Sequence, residues 1–183
     1  MSPAQLQQRI AEYVRDVPDY PKPGVVFKDI TPLLADAASF GVIVDAVTAP
    51  FATDASGQQV APDVVVGIEA RGFILAAPVA YALGAGFVPI RKQGKLPAQT
   101  LRATYELEYG SETMEMHADG FAPGSQVLIV DDVLATGGTA AAAVDLVAKA
   151  GGTVRGLSFL LELGFLSGRK QLPGVEPHVL LTV

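Results

Sequence analysis

The sequence predicts an α/β protein with a mainly parallel, twisted sheet flanked by helices. Short apolar runs rich in β-branched residues recur along the chain, and segments with helical periodicity lie between them. The runs are apolar throughout rather than alternating, which is typical of strands covered on both faces. They are DVVVGI (63–68), GFVPI (86–90), VLIVDD (127–132), LSFLLEL (157–163) and HVLLTV (178–183).

The helices are predicted by apolar spacing and by residues that end them. Two N-terminal segments repeat apolar residues at helical spacing: Leu6, Ile10, Tyr13 and Val14, then Phe40, Ile43, Val44 and Val47. Residues 139–150 are rich in alanine and precede Gly151, which predicts a helix that ends there. Residues 72–90 carry no charge, but proline and glycine interrupt them, so we expect a buried helix and strand rather than a membrane span.

Residues 100–117 have a different pattern, with apolar and polar positions alternating on either side of Gly110. Tyr105 and Leu107 fall on one face, and Glu106 and Glu108 on the other. This pattern predicts a β-ribbon that projects from the domain rather than forming part of its core.

Composition limits the classes of partner. The 183 residues are 50% hydrophobic and 17% charged, without an evident linker, which favours one domain over 1–183. A net charge of −6 argues against binding to nucleic acid or to an anionic membrane. Cysteine is absent, which excludes disulfides and thiolate chemistry, and the N-terminus lacks the apolar region of a signal peptide. We expect a cytoplasmic protein.

The stretch VLIVDDVLATGGT, residues 127–139, combines two carboxylates with a glycine-rich turn. Asp131 and Asp132 follow a buried run at the rim of the sheet, where ligands of open α/β folds bind. The turn then enters a helix, whose first N–H groups favour an anion. This pattern predicts a cup for a phosphate monoester, formed by Ala135, Thr136, Gly137, Gly138 and Thr139.

The carboxylates indicate what the phosphate is attached to. A carboxylate only accepts hydrogen bonds, so beside a phosphate it suits hydroxyls or a hydrated cation. A ribose 5-phosphate supplies both groups, with its 2- and 3-hydroxyls facing Asp131 and Asp132. The motifs of NTPases and of dinucleotide-binding folds are absent. The alternative without a ligand is a capped turn followed by two solvated acids.

These and other segments of the sequence resemble a known family. VLIVDDVLATGGT is similar to the phosphoribosyl pyrophosphate (PRPP) signature of type I phosphoribosyltransferases, and four more segments resemble the adenine phosphoribosyltransferases among them. These are DYPKPGVVFKDITPLL (19–34), EARGF (69–73), PIRKQGKLP (89–97) and LEYG (107–110). The resemblance extends from about Asp19 to about Leu172, and it implies the type I phosphoribosyltransferase fold with an N-terminal base-binding hood (about 1–35) and a flexible β-ribbon lid (about 95–117).

The resemblance also implies roles for the basic residues. The turn formed by Glu69, Ala70, Arg71 and Gly72 would bind pyrophosphate through backbone N–H groups, often with a strained peptide. Further pyrophosphate contacts are implied for Arg91, Lys92, Lys95 and Tyr109. In similar enzymes a basic residue here reaches the site of the neighbouring subunit, which implies a homodimer. On the pattern alone, the alternative for Arg91 and Lys92 is a solvated strand end.

Glu108 is the implied catalytic residue, because it aligns with the family's carboxylate that handles the N7 proton of adenine. On the pattern alone it is one acid on the polar face of an edge ribbon. Adenine contacts are implied for Val26, through its backbone, and for Phe27 and Leu163; core packing is the alternative for all three. Lys28 stands where some relatives carry arginine, which leaves its contact open.

Together these features imply transfer of the 5-phosphoribosyl group from PRPP to adenine, giving AMP and pyrophosphate in purine salvage. Mg²⁺ would arrive with PRPP rather than occupy a dedicated protein site, with Asp131 as the residue that contacts it through water. Two alternatives stay open: transfer to another purine, and a regulator of the same fold that senses PRPP or nucleotide without turnover. A phospho-accepting signalling domain would not explain the glycines.

Overall fold

A computed structural model describes residues 1–53, 56–58, 60–107 and 110–183. The chain divides into two compact units, Met1–Ala46 and Val47–Val183.

The first unit contains the predicted N-terminal helix and a small hairpin. Helix α1 (Pro3–Tyr13) begins at a capping box, in which the Ser2 and Gln5 side chains each accept a hydrogen bond from the other residue's N–H. The antiparallel strands β1 (Arg15–Pro18) and β2 (Val26–Asp29) follow. Helix α2 (Thr31–Ala35) and the first part of α3 (Ala37–Ala52) complete the unit. Both helices predicted from apolar spacing are confirmed.

The second unit is built on a seven-stranded sheet in the order β5-β6-β4-β3-β7-β8-β9. Its strands are β3 (Val64–Ile68), β4 (Gly86–Lys92), β5 (Thr100–Leu107), β6 (Gly110–His117), β7 (Gln126–Leu134), β8 (Thr153–Glu162) and β9 (His178–Thr182). Its helices are α4 (Gly72–Leu83), α5 (Gly138–Lys149) and two short 3₁₀ helices, Gly164–Leu166 and Gly168–Gln171.

The five strands from β4 to β9 in this order run parallel, and the ribbon β5–β6 adds to β4 in antiparallel orientation. All five residues of β3 are buried, as expected for a strand covered on both faces. The predicted fold class, a mainly parallel sheet flanked by helices, is confirmed. Residues 72–90 form α4 and β4 as expected, and no helix in the described ranges is long and apolar enough to cross a membrane.

The expectation that the ribbon stays outside the core is wrong for its base. Ala103, Met114 and Met116 are buried in the main apolar cluster together with residues of β3, β7 and α5. The reason is the pairing of β6 with β4, which makes the ribbon part of the sheet rather than a projection from it. The end of the ribbon near Leu107 and Gly110 extends beyond the residues of β6 that pair with β4.

Strand β7 is longer than its apolar run predicts. It continues to Leu134, so Asp131 and Asp132 lie within the strand instead of following it. Its pairing with β3 stops at Val130, whereas its pairing with β8 continues to Leu134. The acidic pair therefore still reaches the rim of the sheet, on the side where β3 has ended.

The packing of β8 gives a test of the fold. A Cβ added at Gly156 would lie 2.4 Å from Cε1 of Phe51, so this close approach needs glycine. Gly156→Ala should lower the free energy of unfolding by about 1–3 kcal/mol, measured by urea denaturation. Gly41→Ala is the matched control, because Gly41 is exposed in α3 with no atom within 4 Å of the added Cβ. That change should raise stability by roughly 0.5–1 kcal/mol, and equal stability of the two variants would contradict the packing described.

Candidate active site

The acidic pair is held by its own backbone and by one arginine. The Asp132 N–H donates to Oδ1 of Asp131 at 2.9 Å, and Nε of Arg71 lies 2.8 Å from Oδ2 of Asp132. Asp132 is buried, and its Oδ2 has no aligned hydrogen-bond partner among the described residues, so the contact with Arg71 is an ion pair that leaves this oxygen able to accept. The structure thus places a carboxylate oxygen with unused acceptor capacity at the rim of the sheet.

Burial is the main cause of the pKa shifts of Asp131 and Asp132. It raises the pKa of Asp131 well above its ordinary value, and the charge of Asp132 raises it further. Burial also raises the pKa of Asp132, although the Arg71 guanidinium opposes this. Ionisation of these buried carboxyl groups therefore lowers the stability of the fold.

A glycine allows the start of α4 to meet the end of β7. A Cβ added at Gly72 would lie 2.5 Å from Oδ1 of Asp131 and 3.2 Å from the carbonyl oxygen of Val130. No larger residue fits without moving β7 or the helix. This contact brings the turn after β3 against the acidic pair.

The predicted phosphate loop lies directly beside Asp131. Gly137 has φ +88° and precedes the first residue of α5, which begins without a side-chain cap. A small pocket of about 40 Å³ is lined by Asp131, Ala135, Thr136, Gly137 and Thr139 among others. The structure therefore brings the carboxylate and four residues of the predicted cup to one pocket, at the positive end of a helix.

A second cluster surrounds Glu69, whose peptide bond to Ala70 is cis. Nζ of Lys95 lies 2.5 Å from Oε1 of Glu69, and the Lys92 N–H donates to Oε2 at 3.0 Å. The Arg91 guanidinium donates to Oε1 at 3.4 Å. Burial opposes ionisation of Glu69, but the hydrogen bonds from Lys95, Lys92 and Arg91 outweigh it and lower the pKa of Glu69 to about 2.

Each of the four predicted pyrophosphate cations is therefore close to a carboxylate. Arg71 pairs with Asp132, Arg91 and Lys95 with Glu69, and the Lys92 side chain with Glu112. The pKa of Glu112 is lowered by its hydrogen bonds with Lys92 and Tyr105. The cations of these pairs are half-exposed, whereas the side chains of Asp132 and Glu69 are mostly buried. An incoming anion can therefore approach the cations from solvent while the buried carboxylates stay paired.

Sequence reasoning missed the contact between the ribbon and the phosphate loop. Tyr105 donates to Oε2 of Glu112 at 2.7 Å and accepts a 3.3 Å hydrogen bond from Thr139. Burial and the charge of Glu112 raise the pKa of Tyr105 to about 12. Its ring packs on Gly138, where a Cβ would come within 2.8 Å. The available signal was the ribbon register, since the register that pairs Leu107 with Gly110 puts Tyr105 opposite Glu112.

Of the remaining predicted residues, the structure describes the three assigned to adenine but not Glu108 or Tyr109. Glu108 and Tyr109 lie outside the described residues, between the last residue of β5 and the first of β6. In the first unit, Val26 is 49% exposed, which excludes core packing for it, and Phe27 packs edge-on against Tyr20 with ring centroids 5.2 Å apart. In the second unit, Leu163 is half-buried just after β8, and its N–H donates to the carbonyl of Leu134.

Lys28 and His178 both have partners within the protein. Lys28 pairs with Asp16 across the hairpin at 2.7 Å. His178 is half-buried against Ser158, 3.1 Å from its hydroxyl, and burial lowers its pKa. Within the described ranges, no group of three or more His, Asp or Glu side chains is arranged to hold a metal ion.

Comparison with known proteins identifies the family. The phosphoribosyl transferase domain matches residues 46–161. The adenine phosphoribosyltransferase of Thermobifida fusca is 63% identical over 174 residues, covering 95% of this chain and 96% of the relative. That of Acidothermus cellulolyticus is 57% identical over the full length of both chains.

Solved structures give the same result. The crystal structure of the Rhodothermus marinus adenine phosphoribosyltransferase superposes with a TM-score of 0.91 at 49% identity, covering 98% of this chain and 99% of the other. The Saccharomyces cerevisiae enzyme, crystallised with an imino-altritol bisphosphate and adenine, gives 0.87 at 38% identity, with 96% and 97% covered. With a domain match over more than half of its length and full-length relatives at this identity, the chain belongs to the adenine phosphoribosyltransferase family.

Proposed function

We propose that this protein transfers the 5-phosphoribosyl group of PRPP to adenine, giving AMP and pyrophosphate for purine salvage. One observation carries the proposal beyond the family match: Asp131 and the loop at the start of α5 line the same pocket. A ligand for this pocket needs a phosphate next to a group of hydrogen-bond donors, which a ribose 5-phosphate provides.

The 5-phosphate binds to the N–H groups and hydroxyls of residues 135–139, at the positive end of α5. The ribose diol donates to the carboxylates of Asp131, which lines the pocket, and Asp132 beside it. The two carboxylates therefore do not compete with the loop for phosphate, because they bind the sugar attached to it.

The pyrophosphate end binds to the turn at Glu69–Gly72 and to Arg71, Arg91, Lys92 and Lys95. These cations bind phosphate oxygens from their solvent side and keep their pairs with Asp132, Glu69 and Glu112, so the buried carboxylates stay compensated. Mg²⁺ would arrive with PRPP, Asp131 is the residue that would contact it through water, and the ion would supply positive charge to the leaving pyrophosphate. The residues of this region thus hold the leaving group away from the sugar.

Adenine is held by the backbone of Val26 and by the side chains of Phe27 and Leu163. Glu108 accepts the N7 proton while N9 attacks the sugar, through an oxocarbenium-like transition state comparable to that of glycoside hydrolysis. Tyr109 and the tip of the ribbon close over PRPP and exclude water. A base of this kind typically contributes about 10²–10⁴-fold to the rate.

The protein acts in the cytoplasm as a homodimer. The exposed side of α4 and β4 carries large apolar side chains, with Tyr81 89% exposed and Ile74 and Phe87 also exposed. Such side chains, adjacent to the strand that carries Arg91 and Lys92, are suited to a contact between two copies. The basic residues at the end of β4 would then lie near the site of the second subunit.

The deciding experiment is an assay with Mg²⁺, PRPP and each of adenine, hypoxanthine, guanine and xanthine. We expect AMP and pyrophosphate from adenine and much slower turnover with the other purines. Faster turnover with another purine would reassign the base, and PRPP binding without turnover of any purine would leave a sensor of the same fold.

Replacement of the proposed base separates chemistry from binding. Glu108→Gln should lower kcat by roughly 10²-fold or more, because the glutamine cannot accept the N7 proton. The Kd for PRPP should change little, as measured by calorimetry. Glu106→Gln is the matched control, an exposed glutamate on the same strand, and it should retain wild-type kcat. Unchanged kcat in Glu108→Gln would remove this residue from the mechanism.

The buried carboxylate of Asp131 is expected to lower the stability of the fold and to strengthen PRPP binding. The folded-state pKa of Asp131 is raised, so its ionisation destabilises the fold once the pH exceeds its unfolded pKa. Asp131→Asn should therefore raise the Tm at pH 7 without Mg²⁺ or ligand, while weakening PRPP binding by roughly tenfold through loss of a charged acceptor.

The control for this substitution is Asp145→Asn, on the exposed side of α5, where only a surface pair with Lys149 is lost. It should leave both Tm and PRPP affinity near wild type. A lower Tm in Asp131→Asn would contradict the destabilising effect of the buried charge. Full PRPP affinity would contradict the assignment of Asp131 as an acceptor for the ribose diol.

A further inference from the structure

A second glycine packs against the phosphate loop from outside the signature motif. A Cβ added at Gly137 would lie 2.3 Å from the carbonyl oxygen of Gly168, and a Cβ added at Gly168 would lie 2.3 Å from the carbonyl oxygen of Ala135. Gly168 is buried and starts the 3₁₀ helix Gly168–Gln171. The loop and this helix therefore meet backbone to backbone, an approach that only a pair of glycines permits.

The 3₁₀ helix is fixed at this position by a charged contact. The Arg169 guanidinium donates two hydrogen bonds to Glu162, from Nε at 2.7 Å and from Nη2 at 2.9 Å. Glu162 is buried at the end of β8 and also accepts from the Thr182 hydroxyl at 3.0 Å. The hydrogen bonds from Arg169 lower the pKa of Glu162, so the carboxylate stays ionised and the pair stays formed at neutral pH.

Apolar packing anchors the other end of this segment. Leu172, which directly follows the helix, is buried in the main core cluster together with Ala140 and Ala143 of α5. The segment is consequently held at both ends, by the bidentate pair at Arg169 and by the core at Leu172. Gly168, which directly precedes the anchor at Arg169, approaches the loop at Ala135 and Gly137.

We propose that Gly168 is a positioning residue for phosphate binding, and that the Glu162–Arg169 pair holds it against the loop. This inference rests on the proposed function, since it assigns the loop to the 5-phosphate of PRPP. N–H groups bind an anion tightly only if they already point toward it, because ordering them on binding costs free energy. Gly168 supplies the rigid surface that keeps residues 135–137 in one conformation.

Gly168→Ala tests this assignment. The added methyl group would meet a backbone oxygen that cannot rotate away, so the loop must shift. We expect the Kd for ribose 5-phosphate and the KM for PRPP to rise by roughly tenfold or more, the effect of one or two lost hydrogen bonds. The Kd for magnesium pyrophosphate should stay within about twofold of wild type, because that ligand does not use the loop.

Gly164→Ala is the matched control. It lies in the preceding 3₁₀ helix, where the nearest atoms to an added Cβ are Cγ2 of Thr182 at 3.0 Å and the carbonyl oxygen of Val183 at 3.8 Å. Neither atom belongs to the phosphate loop. Its ribose 5-phosphate affinity should equal that of the wild type. Arg169→Lys serves as a second variant if Gly168→Ala does not fold, because lysine keeps the charge and loses the bidentate contact. It should weaken ribose 5-phosphate binding several-fold, again without affecting pyrophosphate.

The outcomes separate this inference from the proposed function. Failure of the wild type to bind PRPP or to form AMP would refute the proposed function before any variant is compared. An active wild type, with ribose 5-phosphate affinity unchanged in Gly168→Ala or Arg169→Lys, would refute the positioning role alone. Equal weakening of ribose 5-phosphate and pyrophosphate binding would also refute it, because it would indicate a general loss of structure.

Discussion

The close contact between the start of α4 and the end of β7 organises the site. Gly72 allows the approach to Asp131, and Arg71 then reaches the buried carboxylate of Asp132 at 2.8 Å. A buried carboxylate without such a partner is costly, so this ion pair is a condition for having the acidic pair here at all. Because β3 and β7 are neighbours in the sheet and α5 follows β7 along the chain, this contact lies beside all three of the segments proposed to bind pyrophosphate, the ribose hydroxyls and the 5-phosphate.

A second constraint is that an acidic protein must bind a strongly anionic substrate. The net charge is −6, and within the described ranges the four cations proposed for pyrophosphate lie against Asp132, Glu69 and Glu112. This arrangement keeps the cations close together without mutual repulsion. Tyr105 connects the ribbon with the loop at the start of α5, since its hydroxyl bonds to Glu112 of the ribbon and to Thr139 of α5.

Much of the fold could be predicted from sequence because buried parallel strands are uninterrupted apolar runs, and all five such runs are strands in the structure. The end of β7 was misplaced because Asp131 and Asp132 are polar, yet the pairing with β8 continues past them. The ribbon base was misjudged because Met114 and Met116 alternate with polar residues, as they would in an exposed ribbon. Gly168 had no local signal, because its need for glycine arises from Ala135, more than thirty residues earlier.

The most direct test of this account is a crystal structure of the protein with Mg²⁺ and PRPP. It should show the 5-phosphate on the N–H groups of residues 135–139, with both ribose hydroxyls within hydrogen-bonding distance of Asp131 and Asp132. The pyrophosphate should contact Arg71 and the turn at Glu69–Gly72. A complex in which the pyrophosphate occupies the loop, or in which the diol points away from both carboxylates, would contradict the account.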